Sequence, residues 1–199
     1  MGQELDAATL NACRRGDPAA FGALVACYQD RVYALCFALA GSDGEDLAQE
    51  TFVRVHSAIA RFDPAGPASL TGWILTIARR LCVDRARARD RQAALALELG
   101  DGDGAAMLTV FTSGAASPEG QLEAARHAQA LRRAVAALPL EQRAVVALQL
   151  WDGLDYEEIA AVEAVPVGTV RSRLARAKES LRRALRLDET QTKGKAHGR

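Results

Sequence analysis

Apolar residues in the first 90 positions recur at steps of three and four, and no stretch there alternates as a strand would. Phe21, Leu24 and Tyr28, then Val32, Leu35 and Leu39, mark one such stripe within Asp6 to Ala60. A period near 3.6 puts these residues on one side of a helix, and that side must be buried against other helices. Composition agrees. The apolar half of the chain is rich in Ala and Leu, and only 5% of residues are aromatic, which favours close-packed helices over a sheet. The expected fold is all-α.

Breakers divide this pattern. Gly41-Ser42-Asp43-Gly44 interrupts it, and Ser42 with Glu45 three residues on has the spacing of a capping box, so a new helix is expected there. That helix buries Ala48, Phe52, Val55 and Ile59 and turns Asp46, Gln49 and Glu50 outward. The two prolines and the glycine of Phe62 to Pro67 require a loop. A further helix, from about Thr71 to Arg91, encloses Trp73, Ile74, Ile77 and Leu81. Residues 93–118 carry Gly/Asp and Gly/Ser runs and read as a flexible linker, with Met107 to Phe111 able to form a short contact segment. The chain therefore divides into two small helical domains, 1–92 and 119–187, and a polar tail, 188–199, expected to be disordered.

Several function classes drop out. No run of about 18 apolar residues is present, so no membrane insertion is expected. The start, Met1 to Asp6, lacks the basic and apolar zones of a signal peptide, which places the chain in the cytoplasm. Cys13, Cys27, Cys36 and Cys82 lack metal-ligand spacing and read as small core residues, while His56, His127 and His197 are scattered. No metal or cofactor is expected. The acids around Asp46 have no matching base, nucleophile, phosphate loop or metal triad, so an enzyme is not expected either.

The formal net charge of zero conceals three patches. Asp43 to Glu50 holds four acids and no base; Arg79 to Arg89 holds five bases against Asp84; Arg171 to Arg186 holds seven against Glu179. Basic patches of this kind are the footprint of a nucleic-acid binder, although solvated helix faces can look similar.

Asp155 to Arg186 supplies the context that separates these readings. Asp155 and Glu158 form a capping box opening a short helix through Ile159, Ala160 and Val162. Val165-Pro166-Val167-Gly168 makes a turn, in which Pro166 is expected to stop the first helix and Gly168 to permit close backbone approach. A second helix from about Thr169 puts Val170, Leu174, Ala177, Leu181 and Leu185 inside and leaves Arg171, Ser172, Arg173, Arg176 and Lys178 for DNA. This is the layout of a helix-turn-helix with its recognition helix.

These residues carry a resemblance. Tyr156-Glu157-Glu158-Ile159-Ala160, with Pro166-Val167-Gly168-Thr169-Val170-Arg171-Ser172-Arg173, resembles region 4 of the extracytoplasmic-function group of the sigma-70 family. Leu138 to Arg143 is similar to the start of that region. In the first module, Glu45 to Phe52 resembles region 2.2, and Gly72 to Arg79 resembles regions 2.3 and 2.4. The resemblance covers nearly all of residues 10–187, with both modules in order.

The resemblance implies a sigma factor: a subunit that binds core RNA polymerase, recognises promoter DNA at −10 and −35 elements, and helps to melt it. Asp46, Gln49 and Glu50 match the polymerase-binding surface. Ser69, Trp73, Arg79, Arg80, Arg85 and Arg87 match the −10 segment, where an unpaired base needs a pocket and its strand a positive surface. Trp73 could stack on DNA, but its helical phase also suits a core residue. Thr169, Arg171, Ser172, Arg173, Arg176 and Lys178 match the −35 positions. The sequence departs from the family at Arg80, where asparagine is common, at His56, where an aromatic is usual, and at Gln149, where an arginine often touches the backbone. Members are often restrained by an anti-sigma factor, so such a partner is implied too. The rival reading, a free-standing helix-turn-helix regulator, would need a receiver or ligand domain, and the first 90 residues show no strand pattern for one.

Overall fold

The computed structural model describes residues 5–99, 129–131, 133–150 and 153–196. Among them there are helices and no strands. The first module is built from α1 (Ala7–Arg14), α2 (Pro18–Ala40), α3 (Gly44–Ala58) and α4 (Leu70–Leu99). The second contains helical residues at 129–131 and 133–136, then α5 (Leu140–Leu150), α6 (Tyr156–Glu163) and α7 (Val167–Ala196).

Local chemistry sets most of the helix starts. Asp6 and Asp17 each accept two backbone N–H bonds at the heads of α1 and α2, and Pro18 occupies the first turn of α2. The expected Asp155–Glu158 capping box is present in both directions: the Asp155 carboxylate accepts from the Glu158 N–H at 2.8 Å, and the Glu158 carboxylate accepts from the Asp155 N–H at 3.0 Å. The box expected at Ser42 is not. Gly41–Asp43 instead forms a 3₁₀ turn leading straight into α3, and no side chain caps that start. The Gly44 N–H bonds to the Gly41 carbonyl, so backbone satisfies what a serine hydroxyl would otherwise accept.

Gly44 matters for another reason. A Cβ there would lie 2.8 Å from the backbone N and Cα of Phe37, so α3 can meet α2 this closely only with glycine. Gly44→Ala should lower stability by about 1–3 kcal/mol, read as a lower urea midpoint at unchanged slope.

Two expected boundaries move. α4 continues to Leu99, past residue 92, because Ala93 to Leu99 are strong helix formers. α7 continues to Ala196, so residues 188–196 are helical rather than a disordered tail; no proline interrupts them, and extending an existing helix is easier than starting one. Met107 to Phe111 and most of the expected linker lie outside the described residues.

α2 is the hub of the first module: α1, α3 and α4 all pack on it. Leu24, Val32, Leu35 and Cys36 are wholly buried along it. Pro18–Arg61 contains a window long and apolar enough to cross a membrane by length and composition, and these buried α2 side chains account for much of that apolar character. Cys13, Cys36 and Cys82 are buried as expected, and Cys27 is partly so. The neighbouring Cys36 thiol, together with burial, pushes the Cys82 thiol well above its usual range.

The two modules pack against each other, α2 on α5 and α4 on α6. Arg143 of α5 ties them together. It donates to the Ala38 carbonyl near the end of α2 at 3.3 Å, and to the Ala136 and Leu138 carbonyls at 2.6 and 2.9 Å. Carbonyls near helix ends lack intrahelical partners and suit a cation. Burial nonetheless holds this guanidinium below its ordinary pKa.

Candidate functional site

α3 is amphipathic in the way its sequence requires. Leu47, Ala48, Phe52, Val55 and Ile59 are buried, whereas Asp46 and Gln49 are exposed and Glu50 is partly so. Glu50 pairs with Arg54 one turn on, at 2.6 Å. Val53, 65% exposed, continues the same side and gives it an apolar member that charge patterning did not reveal. His56 is exposed and meets Phe21 edge-on, with ring centroids 4.8 Å apart.

The α4 residues are sorted onto different faces by helical geometry. Ser69, Trp73, Arg80 and Arg87 follow one another at steps of four, seven and seven residues, so they share a side of the helix. Ser69 opens α4 by accepting the Gly72 N–H at 3.1 Å. Trp73 is partly buried and tilts against buried Phe62, with centroids 5.0 Å apart. Arg80 and Arg87 are exposed, and exposed Arg91 extends their row; the same periodicity could have found it. Arg85 lies on another face and reaches Asp43 at 3.2 Å, an exposed pair of small energetic weight. Arg79 points a third way, into the contact between the modules.

In the helix-turn-helix, the reversal differs from expectation. α6 ends at Glu163, and Ala164, with a φ of 54°, takes the left-handed position usually held by glycine. Pro166 does not stop α6; its carbonyl accepts from Thr169 and Val170 at the head of α7. Gly168 is not a close-approach glycine, since a Cβ there would meet nothing within 4 Å. α7 docks through Val170, Leu174, Ala177 and Leu181, all buried, with Leu185 partly so.

The outward α7 residues divide into two flanks. Thr169, Ser172, Arg173 and Arg176 occupy steps of three, four and seven and form one face. Arg171 and Lys178 are exposed on the other flank, and Arg171 sits over the Tyr156 ring at 5.7 Å. The Ser172 hydroxyl donates to the Thr169 carbonyl at 3.0 Å, which ties two members of this face together. Arg176 is exposed, but Arg173 is held by Glu163.

Glu163 is the residue that sequence patterning missed. Its side chain is 0% exposed, at the end of α6. Arg79 Nε donates to its Oε1 and Arg79 Nη2 to its Oε2 at 3.2 Å, while Arg173 Nη1 donates to Oε2 at 3.0 Å. One carboxylate thus joins an arginine of each basic patch. A buried acid stands out in a sequence only as a polar residue within an apolar run, and its partners here lie 84 and 10 residues away.

The Sigma-70 region 2 family model matches residues 24–92, and the Sigma-70, region 4 model matches 128–181. The chain is 32% identical over 175 residues to the ECF RNA polymerase sigma factor SigW of Bacillus subtilis, covering 87% of this chain and 92% of that protein. It is 33% identical to the ECF RNA polymerase sigma-E factor of Escherichia coli K12, with 91% and 95% covered. Among solved structures it resembles CnrH in complex with the cytosolic domain of CnrY, with a TM-score of 0.63 at 25% identity, covering 93% and 99% of the two chains. It also shares the fold of RpoE from Bartonella quintana in complex with the anti-sigma factor NepR, with a TM-score of 0.69 at 24% identity and 84% and 98% covered.

Proposed function

The chain belongs to the extracytoplasmic-function sigma factors of the sigma-70 family, and on that premise we propose how its surfaces divide the work of promoter-directed transcription initiation. It binds core RNA polymerase and promoter DNA, and it works in the cytoplasm beside that enzyme. The chain supplies recognition; nucleotide chemistry belongs to the polymerase. The module at 1–92 docks and handles the −10 element, and the module at 119–187 reads the −35 element.

Asp46, Gln49 and Glu50 form the polymerase-docking surface, with Val53 as an apolar neighbour. An exposed acidic face repels phosphates and suits a basic protein surface. Ser69, Trp73, Arg80 and Arg87 provide one continuous side of α4 for the unpaired −10 strand, flanked by Arg79 and Arg85. Thr169, Ser172, Arg173 and Arg176 face the −35 major groove, and Arg171 and Lys178 anchor phosphates on the flank. An anti-sigma factor covering these surfaces fits the structural neighbours solved in complex with the cytosolic domain of CnrY and with the anti-sigma factor NepR.

The four-residue face of α7, with two arginines above a buried apolar seam, is the observation that carries this reading. Run-off transcription with purified core polymerase on a promoter library is the test. Adding the chain should select a family of templates sharing both elements. Selection that persists in the absence of core polymerase, as duplex binding alone, would favour a free-standing regulator.

A further inference from the structure

Glu163 has a property that promoter recognition does not require. Its carboxylate is completely buried, yet the two side chains it holds, Arg79 and Arg173, are assigned to different DNA elements. Those guanidinium side chains are only 20% and 21% exposed. Around them the modules are in close contact, since a Cβ on Gly72 of α4 would come within 3.9 Å of Val162 on α6. Neither arginine can present its full fork to a phosphate or base while both serve this carboxylate, and the carboxylate itself would repel a phosphate brought near.

We propose that Glu163 is an internal latch: it closes the two modules on each other and withholds the DNA-binding arginines until the modules separate. This rests on the assignment of Arg173 to −35 DNA. Arg79 is the half of the latch that crosses between modules, whereas Glu163 and Arg173 belong to the same helix-turn-helix. Separation frees Arg79 and brings the Glu163–Arg173 pair into water, where such pairs are weak enough for DNA to compete. Without the carboxylate, the closed arrangement would hold two guanidinium groups beside each other with no counter-charge, which favours opening.

The test uses the full chain without polymerase, as wild type, Glu163→Gln, Arg79→Gln and Arg173→Ala. Small-angle X-ray scattering reads closure, and fluorescence anisotropy reads binding to a −35 duplex. Glu163→Gln and Arg79→Gln should both increase the radius of gyration. Both should tighten duplex binding by roughly tenfold, within the range of coupling between linked sites. The Arg79 variant is decisive, because it loses a positive charge and should still bind DNA better. Weaker duplex binding or an unchanged radius in Arg79→Gln overturns the latch, even if Glu163→Gln binds more tightly, since removing an acid relieves phosphate repulsion by itself. If Glu163→Gln does not fold, as circular dichroism would show, the Arg79 variant decides alone. Arg173→Ala should bind the duplex less well than wild type. If it does not, the −35 assignment is what fails, while scattering still reports whether the modules are latched.

Discussion

Replacing Asp46 and Glu50 together with Lys should yield a folded chain that no longer co-purifies with core RNA polymerase. Run-off transcription should fall by roughly a hundredfold or more, because opposed like charges at an interface cost several kcal/mol. The loss should not reflect unfolding. Asp46 is exposed, and the Glu50–Arg54 pair has side chains 42% and 56% exposed, so its contribution to the fold is small. Asp46 also lies in the first turn of α3, where losing its favourable dipole interaction costs about 0.3–1 kcal/mol. The helix is held by its opposite face, where Leu47, Ala48 and Val55 are at most 2% exposed and are untouched by either change. Circular dichroism should therefore match wild type. Duplex binding by the variant should be unchanged or slightly stronger, since two acids have become two bases. Normal polymerase binding by the folded double variant would sink the docking assignment and most of the mechanism proposed for the first module.

The same helix shows what could and could not be read from sequence. Its buried and exposed residues follow from a 3.6 period acting on strongly apolar and strongly charged positions, so the faces were legible. Its start was not, because Ser42 and Glu45 have capping-box spacing whether or not a 3₁₀ turn from Gly41 makes the box unnecessary. At the helix-turn-helix the Asp155 box and the α7 seam were legible for the same local reasons. The turn itself depends on Ala164 accepting a left-handed backbone, a role for which glycine would be the sequence signal, while Gly168, expected at a close backbone approach, has open space around it. The contact between modules was the least legible feature. Arg79, Glu163 and Arg173 look like three ordinary charges in sequence, and only packing reveals that one carboxylate is buried between two cations. Local period and chemistry define elements and faces, but pairings between residues 84 positions apart leave no comparable local trace.

Those pairings make Arg173 and Arg176 unequal, although both lie on the face of α7 proposed to read the −35 element. Arg176 is exposed at the surface, so Arg176→Ala should leave stability nearly unchanged and report recognition alone. If Arg176 reads a base, the loss should be about 1–3 kcal/mol and confined to particular base pairs of the −35 element. If it anchors phosphate, every sequence should weaken alike, and the slope of log affinity against log salt should become shallower by roughly one. Arg173→Ala does more. It removes one of two partners from a wholly buried carboxylate, which keeps Arg79, so the stability loss should fall below the roughly 3–5 kcal/mol typical of leaving a buried charge alone. Denaturant unfolding should therefore distinguish the two variants, and run-off transcription from −35-dependent promoters should decline in both. Arg173→Lys refines the point: a lysine keeps the charge beside Glu163 but lacks the planar fork, so it should recover stability more fully than promoter selectivity. Unchanged transcription in both alanine variants would remove α7 as the recognition helix, however well its apolar seam is packed.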